Sequence, residues 1–133
     1  MMLQPRKQKY RKSYNAAMRG VNHQALSFGE FGVQASTAGF LTSRQLEAAR
    51  KAMSHFTKRN GKIWIRVFPQ IPVTQKAQGL RMGGGKGAVV FFGSPIKVGT
   101  IVFEISGVPK EVAKEAFRLA GNKLPLSLAF IEK

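Results

Sequence analysis

The sequence predicts an α+β fold: a mainly antiparallel sheet with two helices packed on one face, plus a basic N-terminal arm and a long glycine-rich loop. Three observations predict it. Two segments carry apolar residues at helical spacing, and several shorter ones alternate or run apolar over strand lengths. Helical and extended segments do not alternate regularly, which sets aside a parallel βαβ architecture. The chain has 133 residues, 44% of them hydrophobic and ten of them Phe, enough to bury one core. Residues 1–22 are assigned to the arm and 23–133 to a single domain with a flexible loop at 74–87. No internal repeat is visible.

The arm carries Arg6, Lys7, Lys9, Arg11, Lys12 and Arg19, with Tyr10 and Tyr14 between them and no periodic apolar face. Such a segment is expected to order only against a partner. Its cations suit phosphates, and its tyrosines either stack on unpaired bases or pin the arm to its own domain. From Gln24 to Ser36, Leu26, Phe28, Phe31 and Val33 are punctuated by Gly29 and Gly32. That pattern suggests a bent or bulged strand pair.

Thr42–Arg59 is the clearest helix. Thr42 suits the N-cap, and Gln45 stands three positions on, where a capping box wants Glu or Gln. Leu46, Ala49, Met53 and Phe56 form the apolar stripe and are assigned to the core. Arg44, Lys51, His55 and Lys58 project from the other side, flanked by Arg50 and Arg59. A basic helix face is usually just solvated. Here only Glu47 compensates it, which favours phosphate contact. Asn60-Gly61 ends the helix.

Lys62–Phe68 alternates as a strand with both faces at least partly covered, and Lys62 and Arg66 are counted among the candidate RNA-binding residues. Pro69 and Pro72 bracket a short edge or turn. Residues 74–87 support neither helix nor strand, and a loop this long in a small domain is usually functional or disordered. Lys86 is followed by Gly87, not Ser or Thr, so this is no phosphate-binding loop of the nucleotide-hydrolase type. Its glycines, with Arg81, Met82 and Lys86, suit a flexible finger whose backbone approaches phosphates; the alternative is a solvated hairpin tip. Ala88–Phe92 and Val98–Ile105 read as two strands joined across Gly93-Ser94-Pro95. Pro109 and Gly121 frame a second helix with Val112, Ala113, Ala116, Leu119 and Ala120 inward and Phe117 at the margin. Leu126–Ile131 closes the domain as a strand.

Charge is distributed unevenly. Between Met1 and Phe103 stand seventeen Lys and Arg against two acids, Glu30 and Glu47; from Glu104 onward five bases face four acids. The net charge of +16 calls for a polyanion, nucleic acid first and an anionic membrane surface second. The chain has no Cys, which removes disulfides, thiolate zinc sites and Cys nucleophiles. All six acids are Glu, and His23 and His55 stand alone, so neither an acid–base pair nor a magnesium site is readily assembled. The inventory argues against an enzyme and implies no cofactor or metal. No apolar run approaches the roughly 18–20 residues of a membrane span. The basic N-terminus has no apolar stretch after it, so it is not a secretory signal. Pro5 and the lack of an amphipathic helix count against a mitochondrial presequence.

Six motifs, in order, carry a family resemblance over nearly the whole chain. They are MLQPRKQKYRK at Met2–Lys12, SFGEFG at Ser27–Gly32, LTSRQLEAARKAM at Leu41–Met53, GKIWIRVFP at Gly61–Pro69, LRMGGGKG at Leu80–Gly87 and FEISGVP at Phe103–Pro109, followed by KLPL at Lys123–Leu126. With these the chain resembles the bacterial-type large ribosomal subunit protein number sixteen (the L-sixteen family). The resemblance implies an α+β protein that binds large-subunit rRNA and helps organise the tRNA sites beside the peptidyl-transferase centre. It also implies tRNA and neighbouring large-subunit proteins as partners, with no membrane. Carried onto this chain, Arg81, Met82, Gly83, Gly85 and Lys86 form the tRNA-proximal loop, while the arm and the basic face of the first helix hold rRNA. The chain departs from the family pattern at Ser36–Phe40, which is poorer in Arg, at Gly84, where Lys is common, and at the apolar Gln70–Val73 segment. Because the family pattern opens at Met2, no presequence is expected. The implied location is the ribosome of a bacterium, or of an organelle that encodes the protein.

Two rivals remain from the residues alone. A peripheral membrane binder needs large apolar residues exposed along one helix face, but in 42–59 the core claims them. A free RNA chaperone shares the charge and differs only in never entering particles.

Overall fold

A computed structural model describes residues 3–15 and 17–133; Met2, where the family pattern opens, lies outside them. The elements run β1 (Phe31–Ala35), β2 (Gly39–Thr42), α1 (Ser43–Phe56), β3 (Lys62–Ile65), β4 (Ile71–Gln75), β5 (Ala88–Ile96), β6 (Ile101–Ser106), α2 (Lys110–Gly121) and β7 (Leu128–Glu132). The expected α+β class holds, with every strand pair antiparallel. The strands divide, however, into a four-stranded sheet ordered β3-β6-β1-β7 and a three-stranded sheet ordered β2-β5-β4.

That division corrects the expected connection at Gly93-Ser94-Pro95. These residues lie inside β5, and the turn comes later, where the Thr100 N–H donates to the Lys97 carbonyl. Read locally, Gly-Ser-Pro is a turn; in the fold, each residue has a strand use. Gly93 pairs with Thr42 on one side and Ile71 on the other, and the Phe40 ring occupies the space a side chain would need. Pro95 pairs with Phe40 beyond the end of β4, where β5 has no second neighbour to lose a hydrogen bond. The chain then crosses to the other sheet, so β5 and β6 are not partners.

Alternation sorts the four-stranded sheet into two faces. Val33, Phe103 and Ile105 point inward, all 2% exposed or less, and pack in one core with Leu46, Ala49 and Met53 of α1 and Ala113, Ala116 and Ala120 of α2. The alanines let the two helices approach each other closely over the sheet. Phe117 is buried, not marginal, because the ring of Phe130 on β7 extends the core to it, 6.0 Å away between centroids. Phe31 also stacks on Phe130, at 5.7 Å.

Helix α1 starts as its sequence dictates. The Gln45 N–H donates to the Thr42 hydroxyl, and the Thr42 N–H to the Gln45 side-chain oxygen. Its end differs. Phe56 is 37% exposed and outside the core, because it lies at the edge of the apolar arc and Thr57 takes the inward direction one residue later. The Thr57 hydroxyl returns a bond to the Met53 carbonyl at 3.1 Å. Gly121 is the last residue of α2, not the first beyond it. Strand β3 is shorter than Lys62–Phe68, though the Arg66 N–H still donates to the Val102 carbonyl.

The expected strand pair at Gln24–Ser36 is a loop followed by the single strand β1. The cause lies far along the chain. The buried Glu104 carboxylate on β6 accepts the backbone N–H groups of Ser27, Phe28 and Gly29, each at 3.0 Å. Donors satisfied in this way have no need of a partner strand. The loop therefore lies over the outer face of the sheet, with Leu26 packed where Gly32 has no side chain.

Candidate nucleic-acid interface

Basic side chains gather on three surfaces. The first surrounds the end of α1, where Arg50, Lys51, Ser54, His55, Lys58 and Arg59 line an open groove of about 520 Å³. Arg50, Ser54 and Arg59 also line the adjoining hollow, which continues past Gly61 to Lys62. Two backbone features shape this surface. Lys58 and Arg59 both adopt the left-handed conformation, with φ of 53° and 64°. Neither residue type favours it, and strain of order 1–3 kcal/mol each is found mainly where function demands the geometry. The reversal turns two cations around the helix end, where exposed carbonyls carry partial negative charge and oppose their repulsion.

Within this groove Arg50 is partly spoken for. It forms a two-point ion pair with Glu47, Nε to Oε2 at 3.1 Å and Nη2 to Oε1 at 2.5 Å. The Arg50 hydrogen bonds hold the Glu47 carboxyl below its ordinary value against the opposing effect of burial. The surplus charge therefore rests on Lys51, Lys58, Arg59 and Lys62. Arg44 is exposed at the start of the same helix, away from the groove.

The arm is the second surface. Among its described residues there is no helix or strand beyond a bridge from Val21 to Val98, yet it lies against its own domain. Lys7, Gln8 and Tyr10 face Phe68, Ile71 and Pro72, while Tyr14 and Met18 continue past Phe40 and Phe91. The arm is thus laid along the three-stranded sheet. Arg6, Lys7, Lys9, Arg11, Lys12 and Arg19 are all exposed. Tyr10 and Tyr14 are 70% and 95% exposed, so they do not pin the arm.

The third surface is the finger between β4 and β5, residues 76–87; Thr74 and Gln75 belong to β4. Gly83, Gly84 and Gly85 have φ of 94°, 79° and 95° with open space around each, so backbone conformation and not crowding favours glycine there. Arg81 and Met82 stand exposed, Met82 at 96%. Lys86 sits instead at the root. Its ammonium donates to the Ser13 carbonyl at 2.5 Å, and Lys12 donates to the Lys86 carbonyl at 3.0 Å. Lys76 ties the finger to itself through the Gly83 carbonyl. Arm and finger are one connected unit.

Arg66 is paired on the outer face of the sheet with the buried Glu104 carboxylate at 2.5 Å, and its side chain is 19% exposed. Burial pushes the Glu104 carboxyl up, but the Gly29 N–H, Arg66 and the Phe28 and Ser27 N–H groups together hold it below its ordinary value. Glu104 escaped notice in the sequence, although a lone acid inside the apolar run Ile101–Ile105 is itself a signal of a buried, paired carboxylate. Among the described residues no group of three or more His, Cys, Asp or Glu could hold a metal ion.

Residues 5–131 match the family model for ribosomal protein L16p/L10e. The chain is 50% identical to the large ribosomal subunit protein uL16 of Streptococcus uberis, across 99% of this chain and 98% of the relative. It is 48% identical to uL16 of Francisella tularensis subsp. novicida over the same shares. Identity to uL16 of Borrelia recurrentis is 50%, over 98% and 96% of the two chains. On a match that spans the arm, both sheets and the finger alike, the chain belongs to the ribosomal protein L16p/L10e family.

Proposed function

We propose that this chain is a structural, non-catalytic constituent of the large ribosomal subunit. It binds large-subunit rRNA through the arm and the α1 groove, and it presents the finger toward tRNA beside the peptidyl-transferase centre. The observation that carries this reading is full-length family membership in a chain whose unmatched cations project from those same surfaces. Arm cations and Lys51, Lys58, Arg59 and Lys62 take phosphates, releasing condensed counterions. Arg81 and Met82 are the finger residues that meet tRNA, with Gly83 and Gly85 letting the backbone come close. Lys86 sets the finger's direction from its root. Arg50 contributes to rRNA binding while holding Glu47, and Arg66 acts mainly inside the fold. Neighbouring large-subunit proteins complete the environment. The bacterial source of the relatives supports the cytoplasmic ribosome of a bacterium over that of an organelle.

Salt titration of binding to large-subunit rRNA tests the reading. With roughly 6–10 phosphates engaged, affinity falls about 10³–10⁵-fold between 50 and 200 mM salt. A flat response contradicts it.

A further inference from the structure

We propose that Phe28 and Trp64 form a base-stacking site for RNA, receiving an unpaired base from a strand whose phosphates follow the groove at the end of α1. The proposal rests on the RNA-binding reading above and adds a site outside the basic side chains. The two rings are stacked, 5.9 Å between centroids and 20° between planes. Cations flank both: the Lys62 ammonium lies 5.3 Å from the Trp64 ring centre, and the Arg66 guanidinium 5.6 Å from that of Phe28. Lys62, Trp64 and Arg66 share the outer face of one extended segment, as period-two alternation requires.

Phe28 is 59% exposed although the core lies on the other side of the sheet. Its position is imposed, because the Glu104 carboxylate holds the N–H groups of Ser27, Phe28 and Gly29, and Glu104 is paired with Arg66. A buried carboxylate is thus used to hold an aromatic ring out in solvent. Lys62 connects this site with the phosphate surface, since it also lines the hollow shared with Arg50 and Arg59. A strand with its backbone at Arg59 and Lys62 brings a base to Trp64 and Phe28. An exposed Phe28 ring on a half-buried Trp64 ring, beside cations, matches the two halves of a nucleotide, a π face and an anionic backbone.

Trp64 is the sole tryptophan, so its fluorescence reports on the site directly. The full chain is titrated at low salt with single-stranded oligoadenylate and, separately, with inorganic polyphosphate, which has the charge but no bases. Oligoadenylate quenches Trp64, while polyphosphate binds and leaves its emission unchanged. Phe28→Ala loses roughly 5- to 150-fold in affinity for oligoadenylate, the equivalent of one stacked base, and keeps its affinity for polyphosphate. Phe28→Tyr restores it, and far-UV circular dichroism verifies the fold of both variants. Equal fluorescence responses to the two ligands, or unchanged oligoadenylate affinity in Phe28→Ala, overturn the proposal. So does a Phe28→Ala protein that keeps all RNA binding but loses a neighbouring ribosomal protein from the particle. Failure to bind either polyanion contradicts the underlying RNA-binding reading instead.

Discussion

Replacing Glu104 by Ala should destabilise the protein by about 3–5 kcal/mol, the range for breaking a buried ion pair. The structure supplies the reason. The Glu104 side chain is fully buried, accepts three backbone N–H groups on one oxygen and pairs with Arg66 on the other. Without it, the Gly29 N–H is left unsatisfied in a buried position, which alone costs about 1–3 kcal/mol. Ser27 and Phe28 are exposed and recover part of the loss through water, as does Arg66. Against a total stability of about 5–15 kcal/mol this is a large fraction. It lowers the melting temperature by roughly 10–20 °C. Glu104→Gln keeps an acceptor and should lose about half as much. The carboxyl is held below its ordinary value in the fold, so its stabilisation is complete above the unfolded carboxylate pKa and disappears as pH falls through the folded one. Urea melts of the three proteins between pH 7 and pH 3 measure both effects, with the variants flatter than wild type at the acid end. A loss below about 1 kcal/mol in Glu104→Ala with the loop in place would refute this reasoning.

Three further outcomes are expected. Lys58→Gly relieves left-handed strain and should raise stability by about 1 kcal/mol in denaturant melts while weakening rRNA binding; lower stability would show that the side chain supports the fold. Replacing Arg44, Lys51 and Lys58 together by Ala should reduce rRNA affinity and the steepness of its salt dependence with circular dichroism unchanged; a lost helical signal would make these residues structural. Deleting Gly83–Gly87 should leave incorporation into subunits intact and impair tRNA placement in reconstituted particles, and the reverse pattern would contradict the finger's assignment.

The parts of this fold legible in the sequence are those determined by near neighbours. Thr42 and Gln45 form their capping box within one turn, and Leu46, Ala49 and Met53 mark a buried stripe by spacing alone. Basic residues at the surface were equally legible, since burying an unpaired cation is prohibitive. What escaped the sequence is set by contacts distant along the chain. Gly93-Ser94-Pro95 reads as a turn until Phe40 comes to lie over Gly93. The loop before β1 is shaped by Glu104, some 75 residues away. The same holds for the candidate interface. Lys86 belongs to the finger in sequence, but its ammonium is engaged by the arm at Ser13. Arg66 lies among cations in sequence, yet its charge is matched by Glu104. The Phe28–Trp64 stack joins two segments that no local pattern connects.

On the proposed function, the cationic arm and groove hold this chain in the large subunit by binding its rRNA. Sucrose-gradient sedimentation of cell extracts containing the tagged chain tests it most directly. At low salt the chain should travel with the large subunit and be released to the top of the gradient as salt rises. A chain that stays at the top at every salt concentration, while the untagged subunits sediment normally, would contradict the account.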